Sequence, residues 1–189
     1  MIKTLYPCFR HWSEKGSVYL ISDTHFDNVD REFMGYNFSE AVQIDRLKAR
    51  CHKNDTLIHL GDVGNPEYMR QLKCHKVLLL GNHDETPTKF EPYFDEIYTG
   101  PLWIAEKLVI SHEPIDIRFG DCPICLNIHG HDHSNTFYKD GNHINIAQNI
   151  VGYLPINLKH IIEDGCLKPI KTAHRLTIDK AVAYKGIRL

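Results

Sequence analysis

Apolar residues gather in five short runs, Val18–Ile21, Thr56–Leu60, Val77–Leu80, Leu108–Ile110 and Leu126–Ile128, all rich in Val, Ile and Leu. Runs of this length predict strands, and the uninterrupted third predicts one buried on both faces. A sixth stretch, His143–Ala147, alternates apolar with polar positions and predicts a strand nearer a sheet edge. Ala41, Val42, Ile44 and Leu47 recur at helical spacing, which predicts a helix within Ser39–Cys51 capped by Ser39 and followed by a turn at Asn54–Asp55. Asn65-Pro66 predicts a second helix start, running toward Leu72, and Asn157–Asp164 before Gly165 predicts a short third helix. Strands alternating with helices predict an α/β sandwich with a largely parallel or mixed core.

Length adds that 189 residues fit one domain able to bury its own core, residues 1–189, with 165–189 as a C-terminal extension. A formal charge of −2 excludes a global pull toward nucleic acid or anionic membrane. No apolar run reaches the roughly 18 residues of a membrane span, and the first 16 residues lack the apolar centre of a secretory signal, so the expected location is cytoplasmic. In that reducing setting the six cysteines are expected as free thiols. The Cys122–Cys125 pair leaves a redox switch or an extra metal site open beside the plainer reading as loop thiols. From Lys168 to Leu189 there are six Lys or Arg and one acid, Asp179; this basic tail is either a contact for an anionic substrate or a solvated arm.

The unusual figure is 13 histidines, and their placement is patterned. Each of the five apolar runs leads into a polar cluster of metal-ligand type. These are Ser22-Asp23-Thr24-His25, Gly61-Asp62, Gly81-Asn82-His83-Asp84, Ser111-His112, and His129-Gly130-His131-Asp132-His133. Ligands of open α/β sheets collect beyond the carboxyl ends of strands, so five such ends would converge on one crevice. Imidazole with carboxylate or amide oxygen suits manganese, iron, zinc or nickel better than calcium or magnesium alone. In Asp23-x-His25 and His131-x-His133, alternate residues of an extended segment point the same way. Glycines before Asp62, Asn82 and His131 permit close turns. Each motif is weak alone; their joint order is what points to a metal site.

This series resembles the calcineurin-like metallophosphoesterase superfamily, and within it the small bacterial and phage-type phosphoesterases that begin with a "SDTHF" segment. The resemblance runs from about Val18 to about Leu158. It implies an α/β fold, a four-layer αββα sandwich with two central mixed β-sheets. It implies two divalent metal ions, manganese first, with iron, zinc and nickel as alternatives. Asp23, His25 and His133 would serve one ion, Asn82, His112 and His131 the other, and Asp62 would bridge them. His83 matches the catalytic histidine, and Asp84 would help it by orienting the Asn82–His83 turn. The two ions would activate a bridging water as hydroxide and clamp the phosphate. Where relatives of this type carry Gly-His after SDTHF, this chain has Asp27-Asn28; Asn28 can still bind phosphate by hydrogen bonding but brings no cation.

The expected activity is phosphate-ester hydrolysis with phosphodiesters favoured, and nucleotides or nucleic-acid ends as candidate substrates. The alternatives are phosphomonoester hydrolysis and a catalytically silent binding scaffold. Loops at Phe26–Phe38, Thr86–Gly100 and Glu113–Pro123 are where substrate choice is expected to reside. Trp103 and Phe119 could stack on a base or pack at the core or rim. No membrane partner is expected, and oligomeric state is not legible in the pattern.

Overall fold

A computed structural model of the chain describes residues 3–4, 16–134 and 141–171; the basic tail from residue 172 onward lies outside them. Two five-stranded sheets form its centre. In chain order the strands are β1 (Lys3–Thr4), β2 (Val18–Ile21), β3 (Thr56–His59), β4 (His75–Leu79), β5 (Glu96–Tyr98), β6 (Leu102–Ala105), β7 (Leu108–Ile110), β8 (Arg118–Phe119), β9 (Cys122–Pro123), β10 (Leu126–His129), β11 (His143–Asn145) and β12 (Ile156–Asn157). One sheet has the order β12-β2-β3-β4-β5, parallel except for the β12–β2 pair. The other has the order β1-β6-β7-β10-β11, with its single antiparallel pair at β6–β7. Both sheets are therefore mixed, and the expected α/β sandwich is present.

The inner faces meet in one apolar core. Leu20, Ile58, Val77 and Leu79 from the first sheet pack with Leu102, Leu108, Ile110 and Ile128 from the second. Each such fully buried aliphatic side chain stabilises the sandwich by about 1.5–3 kcal/mol. On the opposite face of the first sheet a separate cluster joins Ile21, Leu57 and Leu78 to Ile44 and Leu47 of helix α1 (Glu40–Arg50). Phe90 of the short helix α2 (Pro87–Phe90) belongs to that layer too. Helix α3 (Leu158–Glu163) sends Leu158 and Ile161 into the inter-sheet core. The far face of the second sheet is covered, among the described residues, by the 112–125 loop and its β8–β9 ribbon. Ile115 N–H donates to Asn127 Oδ1 at 2.9 Å there, and His143 Nε2 lies 3.1 Å from the Ile115 carbonyl.

Several expectations shift in detail. Ser39 stands at the N-cap of α1, yet its hydroxyl makes no capping bond. Asn65-Pro66 does start a helical segment and Asn65 Oδ1 does cap it, but Pro66–Gln71 is a 3-10 helix and not an α-helix. His143–Asn145 is indeed an edge strand. Cys122 is exposed on the β8–β9 ribbon while Cys125 is buried, and both are free thiols. Among the described residues no helix is long and apolar enough to cross a membrane.

Candidate metal centre

The carboxyl ends of β2, β3, β4, β7 and β10 deliver the five polar clusters to one place. The loops after β2 and β3 run side by side, tied by Asp23 N–H to Gly61 O at 2.9 Å, His25 N–H to Asp62 O at 3.0 Å and Phe26 N–H to Val63 O at 2.9 Å. The loops after β7 and β10 are joined by Gly130 N–H to the His112 carbonyl at 2.9 Å. The two sheets then meet where the His131 N–H donates to both oxygens of Asp23, at 3.1 and 3.0 Å. Side chains cannot be tolerated at the closest approaches. A Cβ on Gly81 would fall on Asp62 Oδ1, and one on Gly130 would fall on Ser22 Oγ and Asp23 Oδ2.

Buried groups form the floor: Asp23, His25, Asp62 and His112 are all at most 6% exposed. Asn82, His83 and His131 are exposed and His133 is half-buried, so the rim is open to solvent. Four of these residues, Asp23, His25, Asp62 and His131, have left-handed backbone, with φ of 59°, 43°, 57° and 66°. That conformation is uncommon for non-glycine residues, and it aims each side chain into the bowl.

Donor atoms converge in two overlapping sets. In the first, His25 Nε2 lies 4.0 Å from Asp23 Oδ1 and 3.6 Å from Asp62 Oδ2, and His133 Nε2 lies 3.7 Å from Asp23 Oδ1. In the second, His112 Nε2 lies 3.4 Å from Asp62 Oδ2, 2.8 Å from Asn82 Oδ1 and 3.3 Å from His131 Nδ1, which is itself 2.9 Å from Asn82 Oδ1. Ligand atoms held 2.0–2.2 Å from a shared ion stand about 3–4 Å apart, and Asp23, His25 and His133, like Asp23, Asp62 and His112, form groups whose donor atoms all lie within 4.8 Å of one another. Asp62 divides its oxygens: Oδ1 accepts the His83 N–H at 2.9 Å, while Oδ2 faces histidines of both sets.

The donor chemistry also fits a cation. His112 Nδ1 lies 2.8 Å from the Leu60 carbonyl, which can only accept, so the ring proton sits on Nδ1. His112 Nε2 lies 2.8 Å from Asn82 Oδ1, a contact met by a protonated ring, by an Asn82 amide turned to present its NH2, or by a cation shared between the two atoms. His25 Nε2 is buried with no hydrogen-bond partner, an orphan that coordination would satisfy. Burial pushes the Asp23 carboxyl up from its usual range. Burial would also raise Asp62, but the hydrogen bond and charge of His112 outweigh it and hold that carboxyl at about 2. For His112 the desolvation that lowers its pKa is overcome by Asp62 and Asp23, which lift it to about 9. Burial dominates at His25 and holds it at about 4. The site is thus a buried pair of carboxylates in want of cationic charge.

Other residues hold this floor in place, and of these His59 and Tyr36 are not singled out by the sequence pattern. Gly61 N–H donates to His59 Nδ1 at 3.1 Å, leaving His59 Nε2–H to donate to Thr24 Oγ1 at 2.9 Å, whose hydroxyl donates to the Val63 carbonyl at 2.9 Å. Burial holds the His59 ring neutral, at about 3. The Tyr36 hydroxyl donates to the Asp23 carbonyl. Asp84 turns its carboxylate away from the rim and accepts from Asp62 N–H and Gly81 N–H at 2.8 Å and Val63 N–H at 3.0 Å, stapling two turns together. The His83 ring lies edge-on to His25, with centroids 5.6 Å apart. Asn28 sits beside the first set, its Nδ2 3.3 Å from His25 Nδ1 and its Oδ1 accepting from Asp30 N–H at 2.9 Å.

Residues 16–175 match the family model described as calcineurin-like phosphoesterase. The chain belongs to that family. It is a phosphoesterase, a hydrolase acting on phosphoric ester bonds, in a family that uses divalent metals. Among solved structures this phosphoesterase is similar to a protein of unknown function from Aquifex aeolicus, at 28% identity and a TM-score of 0.62, covering 78% of this chain and 98% of that one. It is also similar to an uncharacterized protein of Methanocaldococcus jannaschii, 25% identical over 171 residues, or 77% of this chain and 89% of the relative. A nuclease of Pseudomonas putida shares 22% identity at a TM-score of 0.42, over 64% of this chain and 62% of that one.

Proposed function

We propose that this phosphoesterase hydrolyses phosphodiesters at a dinuclear centre. Asp23, His25 and His133 would hold one ion, Asn82, His112 and His131 the other, with Asp62 shared through Oδ2. The observation that carries the reading is the convergence of lone-pair donors 2.8–4.0 Å apart in one bowl, with the buried His25 Nε2 among them left without a hydrogen-bond partner. Manganese is the favoured ion on donor type, with iron, zinc and nickel as alternatives. When bound, the ions supply Lewis acidity at phosphate oxygens and an activated water.

The chain's own groups set the rest of the chemistry. Asp84 and the His59–Thr24 relay fix the two turns that carry Asp62 and His83. His83, exposed on the rim beside His25, would donate a proton to a phosphate oxygen or to the leaving oxygen. Replacing His83 by Ala is expected to leave metal content intact while lowering turnover by about 10²- to 10⁴-fold.

Room for two ester arms supports the diester preference. A hollow of about 270 Å³ adjoins Asn82 and His112, bounded by Thr99, Pro101, Glu113 and Ile115. A second, of about 540 Å³, adjoins His133, bounded by Phe33, Asn37, Ser134 and Asn149. A phosphate between them would have space on each side, and the loops expected to govern substrate choice supply both walls. Phe33 is 91% exposed on the second wall, free to stack against a planar arm such as a nucleobase. Turnover of bis-p-nitrophenyl phosphate against p-nitrophenyl phosphate, with manganese added, tests this. The diester is expected to be the better substrate; a clear preference for the monoester would remove the diesterase reading. Phe33→Ala is expected to raise KM for the diester roughly two- to tenfold, from the loss of about 0.5–1.5 kcal/mol of stacking.

A further inference from the structure

Every histidine in a metal site must present a lone pair from one nitrogen, and a partner on the other nitrogen decides which. His112 has the Leu60 carbonyl for this task. Among the described residues His133 has no such backbone partner, and it rides on the loop after β10, two residues from the left-handed His131. Asn149 reaches it twice. The Asn149 Nδ2 donates to the His133 carbonyl at 2.9 Å, and Asn149 Oδ1 lies 3.2 Å from His133 Nδ1. Because a carbonyl can only accept, the first bond fixes the amide's orientation, and Oδ1 must then be the atom facing the ring. Nδ1 therefore carries the proton, and the bare Nε2 faces Asp23 Oδ1 at 3.7 Å.

The backbone around Asn149 is anchored to the strand end that carries Asp23. Ala147 bridges to Ser22, and Gln148 N–H donates to the Ser22 carbonyl at 3.1 Å. Four residues earlier, Asn145 Nδ2 donates to the Asp132 carbonyl at 2.6 Å. Two asparagines on one short segment thus clamp Asp132 and His133 against the neighbour of Asp23.

We propose that Asn149 is a positioning residue that selects the tautomer of His133 and so sets the affinity of the Asp23–His25–His133 ion, without itself ligating the metal. The inference rests on the dinuclear reading. Metal-free protein is titrated with manganese by equilibrium dialysis and calorimetry. Wild type is expected to bind two ions per chain; a failure there removes the dinuclear reading itself, whatever Asn149 does. Asn149→Ala and Asn149→Leu are expected to keep one ion at wild-type affinity and weaken the other about 10- to 100-fold.

Asn149→Asp discriminates the cause. Its carboxylate still accepts from Nδ1–H but cannot donate to the His133 carbonyl, so affinity close to wild type is expected. If Asn149→Asp is as weak as Asn149→Ala, Asn149 merely holds the loop, and the proposal is overturned. Unchanged affinity in Asn149→Ala overturns it as well. Asn37→Asp puts the same charge in the same hollow; if it raises manganese affinity in the Asn149→Ala background to the level of Asn149→Asp, charge alone is responsible and tautomer selection is rejected. Thermal melts of the metal-free variants check folding, and if the Ala variant fails to fold, the Leu–Asp comparison makes the same discrimination.

Discussion

Asp62 and Asp84 illustrate how a carboxylate's job is set by what lies around it. The first keeps one oxygen for two histidines, and the second spends itself on three backbone N–H groups. Asp84→Ala would strand donors of Asp62, Val63 and Gly81 near a buried floor, at about 1–3 kcal/mol for each group that water fails to reach. A loss of about 3 kcal/mol or more is expected in urea unfolding of the metal-free protein, with Asp84→Asn costing less because one acceptor oxygen remains. Asp62→Ala is expected to lower the content of both ions, where His83→Ala lowers neither. The residues that the structure brings together in the bowl were legible in the sequence because each cluster follows an apolar run. What was not legible is the left-handed backbone at Asp23, His25, Asp62 and His131, since Asp and His tolerate that conformation without announcing it as glycine would.

The end of β3 shows the same limit one level up. His59 is read from the sequence as part of an apolar strand, and nothing in Thr56–Leu60 reveals that its ring links Gly61 to Thr24. Burial lowers His59 to about 3 and His25 to about 4, below the ordinary 6.5. An unfolded chain therefore takes up protons that the folded chain refuses once pH falls below 6.5. Stability from these rings is present above that value and is lost as pH drops toward 4, at about 1.4 kcal/mol per pH unit for each ring. Stability of the metal-free protein in denaturant melts should fall accordingly from pH 6.5 to 5, below the window in which the raised His112 acts, and His59→Gln should remove close to one proton's worth of that slope. An equal slope in the variant would refute the assignment. The six apolar or alternating runs gave six strands, whereas the two-residue β1, β8 and β9 and the longer β5, β6 and the edge strand β12 were not read from the pattern. Glu96–Tyr98 and Ile156–Asn157 are half-buried edge strands with little apolar contrast, while Leu102–Ala105 is a short apolar run whose pairing with β7 shifts register between Trp103 and Ala105.

For the molecule as a whole, two mixed sheets put five strand ends from distant parts of the sequence around one bowl. That convergence follows from chain order and hydrophobic pattern, while the hollows beside it depend on loop paths that local sequence does not encode. A fold that gathers Asp23 and Asp62 at 0% and 1% exposure carries a charge cost that ions would relieve. Manganese at about 100 times its dissociation constant is expected to stabilise the fold by about 2.7 kcal/mol per site, and a chelator to reverse the gain. The decisive observation is the electron paramagnetic resonance spectrum of the manganese-loaded protein. Ions roughly 3.5–4 Å apart should give an exchange-coupled multiline signal at two ions per chain. An isolated six-line signal at that same loading would mean the ions sit apart, and the shared role given to Asp62 would be wrong.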